Sequence, residues 1–92
     1  MTSPARRLVI RGIVQGVGFR YAMMGQARLV GVTGWVRNRR DGTVEAIVSG
    51  APEQTEAMIA WARIGPAGAV VEELIVEVAS GDFTAFELLP TS

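Results

Sequence analysis

Six consecutive residues, Gln15-Gly16-Val17-Gly18-Phe19-Arg20, place two glycines and an arginine where an alternating apolar pattern gives way to a helical one. A strand-to-helix junction leaves backbone N–H groups unpaired and presents the positive end of the helix dipole, so it is a natural seat for an anion. Glycines at alternate positions let successive amides point into one concavity with no Cβ in the way. Arg20 falls in the first turn of the helix, where a cation opposes the macrodipole. That placement makes physical sense if an anion sits between the amides and the guanidinium. The plainer alternatives are a tight turn and a surface arginine paired with an acidic neighbour. Neither standard nucleotide motif fits: G-x-x-x-x-G-K-[ST] is absent, and Tyr21 stands where G-x-G-x-x-G needs its third glycine.

A second candidate is Asn38. It shares strand parity with Val36, on the face turned to the helices, whereas Trp35 and Arg37 point the other way. An amide on a buried face must find partners, and a neighbouring loop or ligand could provide them. Taken alone, a structural Asn at a hairpin end is the simpler reading. What the chain lacks is equally informative. With no cysteine and no histidine there is no thiolate nucleophile, no imidazole base, no zinc finger and no Ser/His/Asp triad.

These residues need a scaffold, and 92 residues with 49% hydrophobic composition can close one core and no more. One domain over residues 1–92 is expected, with residues 1–5 as a disordered polar tail. Residues 6–14 alternate, with Leu8, Ile10, Gly12 and Val14 on one face, which reads as a strand. Phe19, Ala22, Met23, Gln26, Ala27 and Val30 recur at helical spacing up to Gly31. Residues 33–39 and 43–49 are β-rich runs separated by Arg40, Asp41 and Gly42, a hairpin signal. Pro52 opens a second helix with Met58, Trp61 and Ala62 on one face and Gly65-Pro66 as its stop. Residues 71–79 alternate again, with Leu74, Val76 and Val78 set against Glu73, Ile75 and Glu77, and residues 84–89 could add a short fifth edge strand. The order βαββαβ predicts an α+β, ferredoxin-like fold: a mostly antiparallel sheet with both helices on one face.

Charge is zero overall but uneven. Residues 1–46 hold eight arginines against Asp41 and Glu45, and the remainder holds Arg63 against seven carboxylates. Ion pairing between the halves accounts for most of these charges, with Arg11, Arg37 and Glu45 expected as pairs on the solvent face. A small anionic ligand fits the basic half better than nucleic acid does. No apolar run is long enough to span a membrane.

The motifs also carry a resemblance. Gly12-Ile13-Val14-Gln15-Gly16-Val17-Gly18-Phe19-Arg20 resembles the first signature of the acylphosphatase family, and Gly34-Trp35-Val36-Arg37-Asn38-Arg39-Arg40-Asp41-Gly42-Thr43-Val44-Glu45 is similar to the second. The resemblance implies that Arg20 and residues Gln15, Gly16, Val17, Gly18 and Phe19 bind a substrate phosphate. It further implies that Asn38 positions the attacking water, and that the reaction is hydrolysis of a small acyl phosphate to a carboxylate and inorganic phosphate. A cytoplasmic monomer with no cofactor, no nucleic acid and no membrane partner is expected. Pro90-Thr91-Ser92 departs from the aromatic or basic terminus of many members, and Arg39 adds charge at the mouth.

Residue inventory and reaction agree. A carboxylate leaving group, with an unperturbed pKa near 4, departs without a proton donor, whereas a phosphomonoester would profit from a general acid that the signatures lack. An RNA-binding module of the same element order would need stacking aromatics on residues 43–49, which have none. The remaining rival is a noncatalytic anion-sensing module on the same fold. With no cysteine or histidine, and no carboxylate cluster beside the loop, hydrolysis is expected to proceed without metal. Adding EDTA to purified protein should leave the rate unchanged; loss of activity restored by Mg²⁺ or Zn²⁺ would contradict this.

Overall fold

In the computed structural model, which describes residues 3–92, the chain is already a strand at Ser3. Of the expected tail, residues 1 and 2 lie outside the described part. Ser3, Pro4 and Ala5 instead pair with Gly81, Ser80 and Ala79. The elements are β1 (Ser3–Ile13), α1 (Phe19–Val30), β2 (Thr33–Asn38), β3 (Val44–Ser49), α2 (Pro52–Ile64), β4 (Val70–Gly81) and β5 (Phe86–Leu88). The five strands form one sheet in the order β4-β1-β3-β2-β5. All neighbours are antiparallel except the β2/β5 pair, which is parallel. This is the ferredoxin-like α+β arrangement with an added edge strand.

Period-2 alternation divides the sheet into two unlike faces. On one face Leu8, Ile10, Val36, Val44, Ala46 and Val48 are fully buried and meet Phe19, Met23 and Ala27 of α1 and Met58, Ile59 and Ala62 of α2. Cross-strand register places Val44 between Ile10 and Asn38, so Asn38 lies on this helix-covered face beside buried Val36 and Val44. Burying each of the larger side chains contributes about 1.5–3 kcal/mol, which makes this face the main source of stability in a chain without disulfides. Trp61, on the helix face of Met58 and Ala62, is partly exposed and packs edge-on against Phe19 at 5.4 Å. Gln54 joins the helices: its Oε1 accepts the Ala51 N–H at 2.9 Å and its Nε2 donates to the Val30 carbonyl at 3.2 Å.

The alternation of β4 overstates its burial. Val78 is 83% exposed and Val76 is also open, because β4 is the outermost strand and their ends of the row extend past the helices. Alternation reports which face a residue takes, while burial also needs something on that face.

The opposite face carries an ion-pair row. Glu45 accepts from Arg37 Nε at 2.7 Å and from Arg7 Nε at 2.7 Å, and Arg7 also pairs with Glu77. The Arg37 guanidinium lies 4.8 Å from the centroid of the Trp35 ring. Glu45 had been expected on the solvent face, yet it is only 5% exposed, covered by the side chains that neutralise it. Arg11 pairs with Glu73 rather than with Glu45. Pairing between the halves does not take up most of the charges as expected: among the described residues two pairs, Arg7–Glu77 and Arg11–Glu73, link them, and Arg7–Glu45, Arg37–Glu45 and Arg39–Asp41 lie within the basic half.

Burial pushes the Glu45 carboxyl up, and the hydrogen bonds and charges of Arg37 and Arg7 outweigh it, leaving its pKa below the ordinary carboxylate value. A carboxyl depressed by folding stabilises the native state above its unfolded pKa of about 4.3, and that contribution disappears as pH falls through the lower folded pKa. Glu45→Gln is therefore expected to lower the stability at pH 7 by about 1–2 kcal/mol, discounted because both arginines are partly exposed. Its stability should also fall less steeply than wild type below about pH 4. Urea midpoints measured from pH 7 to pH 3 test both; parallel curves would remove Glu45 from the acid limb.

Candidate active site

Between β1 and α1 the chain turns on Gly16 and Gly18, with φ of 74° and 76°. A Cβ at either would meet nothing within 4 Å, so the need for glycine is conformational rather than steric. Gly18 is also the N-cap of α1 and offers no side-chain oxygen to its first amides. Among the described residues, no backbone or side-chain acceptor takes up the N–H groups of Gly16, Val17, Gly18, Phe19 or Arg20. The first α1 bond beyond the loop runs from the Ala22 N–H to the Gly18 carbonyl at 3.0 Å. Donors left open at a helix N-terminus are the geometry an anion requires. Arg20 follows on the first turn, half-buried and in no ion pair among the described residues; its guanidinium lies 5.9 Å from the Tyr21 ring centroid. The alternative of an arginine tied to an acidic neighbour is not what the structure holds.

Asn38 closes β2 opposite Val44. Its Oδ1 is buried and has no hydrogen-bond partner. A buried carbonyl oxygen without a donor costs about 1–3 kcal/mol, so it persists where something else is served by it. The backbone behind it is well held. The Asn38 carbonyl accepts from the Ser92 N–H at 3.0 Å, the Arg40 N–H donates to the Ser92 carbonyl at 2.9 Å, and the Leu89 N–H donates to the Val36 carbonyl at 2.9 Å. The last residues thus continue the β5 pairing along the free edge of β2 up to the candidate site. Their sequence gave no sign of this, since only backbone groups take part.

The loop and the hairpin meet through Gln15. Its Nε2 donates to the Arg39 carbonyl at 2.8 Å and to the Thr43 carbonyl at 2.9 Å. The side chain is thereby committed to the hairpin, with both amide N–H groups taken. Within the hairpin, Asp41 Oδ1 accepts from Thr43 N–H at 3.0 Å and Thr43 Oγ1 at 2.6 Å, bonds that hold its carboxyl below the usual range. The Arg39 N–H donates to the Thr43 carbonyl at 2.9 Å. A surface groove of about 350 Å³ lined by Arg11, Gly12, Asp41, Gly42 and Thr43 runs beside this hairpin and contains neither Asn38 nor a residue of the glycine loop. The groups available to a tetrahedral anion are the open loop amides and the unpaired Arg20 guanidinium, with a neutral amide oxygen at the end of β2.

A ferredoxin-like sandwich with such a loop at its first strand-to-helix junction defines a class of small α+β proteins that handle anions, and comparison with known proteins narrows it. The acylphosphatase family model matches residues 6–88. An acylphosphatase from Albidiferax ferrireducens is 47% identical over 88 residues, covering 96% of both chains, and one from Pyrobaculum calidifontis is 52% identical over 87 residues, covering 91% of this chain and 79% of its own. The crystal structure of acylphosphatase from Bacillus subtilis superposes with a TM-score of 0.89 at 28% identity, over 97% of this chain and 99% of its own. The chain belongs to the acylphosphatase family, and it is a hydrolase acting on acid anhydrides.

Proposed function

We propose that this chain hydrolyses small acyl phosphates without metal, using Arg20 and the amides of the loop from Gln15 to Phe19 to hold the phosphoryl group and Asn38 to aim the attacking water. The observation that carries this reading is the buried, unpartnered Oδ1 of Asn38, at the end of a strand whose hairpin the Gln15 side chain ties to the loop of open amides. That oxygen accepts a hydrogen bond from water, and the water's lone pair then faces phosphorus. An amide cannot deprotonate the water, so the proton passes to a phosphoryl oxygen or to solvent. Water oxygen bonds to phosphorus, the bond from phosphorus to the acyl oxygen breaks, and the carboxylate leaves with that electron pair.

Phosphoryl transfer asks mainly for charge neutralisation and in-line placement. Amides of Gly16, Val17, Gly18 and Phe19 stabilise the equatorial oxygens, and the planar Arg20 fork contributes two further donors with a formal charge. The absence of cysteine fits the cytoplasm, and no helix among the described residues is long and apolar enough to cross a membrane.

Hydrolysis of benzoyl phosphate, followed by ultraviolet absorbance, is the direct test. Inorganic phosphate should compete with the substrate. Arg20→Lys keeps the charge and loses the fork, so turnover and phosphate affinity are expected to fall together by at least about tenfold. Wild-type activity in that variant would return Arg20 to the surface.

Asn38→Ala should separate aim from grip: turnover drops by about 10² or more while the phosphate inhibition constant stays near wild type, since a misplaced nucleophile costs about that much. Asn38→Asp should bind phosphate worse than Asn38→Ala, because it sets a negative charge beside the anion. An active Asn38→Ala protein would make the residue a hairpin Asn and nothing more.

A further inference from the structure

Both N–H donors of the Gln15 side-chain amide are occupied, one by the Arg39 carbonyl at 2.8 Å and one by the Thr43 carbonyl at 2.9 Å. Two carbonyl acceptors on one terminus settle that this terminus is the NH₂. Those two carbonyls are the ones at the mouth of the β2–β3 loop, and the Thr43 carbonyl also takes the Arg39 N–H at 2.9 Å, so Gln15 grips the loop at the bond that closes it. Arg39 is the residue after Asn38. Gln15 itself is the first residue of the glycine loop and follows Val14, which is buried to 1% exposure and anchors the end of β1 in the core.

We infer that Gln15 is a positioning residue that fixes the hairpin bearing Asn38 against the glycine loop, and that its side chain is not a phosphate ligand. The inference rests on the reading of Asn38 given above. The physical reason is that the Asn38 oxygen has no hydrogen bond of its own to orient it. Its direction is set by its backbone, which β3 holds at Val44, Ser92 holds on the outer edge of β2, and Gln15 holds through the carbonyl of the next residue, Arg39. The glycine loop lacks such internal fixing, since its amides are open. One side chain thus references both halves of the site to each other, and a shift of about an ångström between them would cost on the order of 10² in rate.

Two variants test this, with benzoyl phosphate as substrate and inorganic phosphate as inhibitor. Gln15→Met keeps the length and removes both donors. Its turnover is expected to fall at least tenfold while the phosphate inhibition constant changes by less than about twofold. A parallel loss of phosphate affinity would make the side chain part of the phosphate site and overturn the inference, as would unchanged turnover. Gln15→Glu sets an acceptor against two carbonyls until it is protonated, when it can donate again. The charged side chains on that loop are Arg39, Arg40 and Asp41, and they are common to both proteins. Relative to wild type at each pH, Gln15→Glu turnover should rise at least threefold from pH 8 to pH 5, on one folded sample. A ratio that stays flat overturns the inference even if Gln15→Met fails to fold.

A double variant shows whether Gln15 acts through Asn38. In the Asn38→Ala background, Gln15→Glu should remove less than a further twofold of turnover at pH 8, because the group it aims is gone. A full additional tenfold loss would mean that Gln15 acts elsewhere. If Asn38→Ala alone is fully active, the reading of Asn38 fails. If Asn38→Ala is inactive and Gln15→Glu is normal at pH 8, this inference alone fails.

Discussion

A run of backbone N–H groups with no carbonyl to meet them is an unstable thing to build, and residues 16–20 are such a run. The amides repel one another, the left-handed turns at Gly16 and Gly18 confine the chain to glycine there, and Gly18 gives α1 no cap. Nothing inside the loop compensates. Its shape is imposed from outside, by Val14, buried in the core just past the end of β1, and by a helix that begins in the core at Phe19. The two buried residues are five positions apart in sequence, and the span between them is what the sheet and α1 leave for it. Packing on the helix-covered face is thus the constraint that keeps open donors facing outward.

The same face explains why Asn38 can be partnerless. It ends a row that begins at Leu74 and runs through Ile10 and Val44, apolar all the way to the edge. No donor on that row can reach its oxygen. The opposite face is handled in another manner: there, polar groups come in sufficient number to satisfy each other, and Glu45 is buried against Arg37 and against Arg7, which it shares with Glu77. Polar groups occur near both faces, saturated on one and left open on the other. The open one is the group proposed to meet the attacking water.

Much of this was legible in the sequence. Strand parity placed Asn38 with Val36, and the strand-to-helix junction with its glycines marked the loop whose amides the fold leaves open. What sequence reading missed shares one physical trait: each feature depends on a partner distant in the chain. Gln15 looked like one more residue of the glycine loop because its acceptors lie 24 and 28 positions away. Ser92 offered only its backbone. Glu45 resembled a surface acid until two arginines, one from a different strand on each side, closed over it. Val78 erred in the other direction, since its alternation is sound but it sits where the sheet outruns its helices. The early start of β1 was hidden by Pro4, which has no N–H to give a ladder and is tolerated because it lies at the first residues of the strand.

The parallel pairing of β5 with β2, continued by the bonds of Leu89 and Ser92, joins segments some fifty residues apart. The glycine loop meets its hairpin across a shorter but still long-range gap, and β1 finds β4 across nearly the whole chain. Contacts of such separation form late, since the entropy of closing long loops is lost before they are gained. No early, locally structured species can therefore contain the assembled site, in contrast to a helix or a single hairpin, which gives a spectroscopic signal while the remainder is loose. During refolding, recovered turnover marks arrival at the complete native topology, and it trails any probe that sees secondary structure alone.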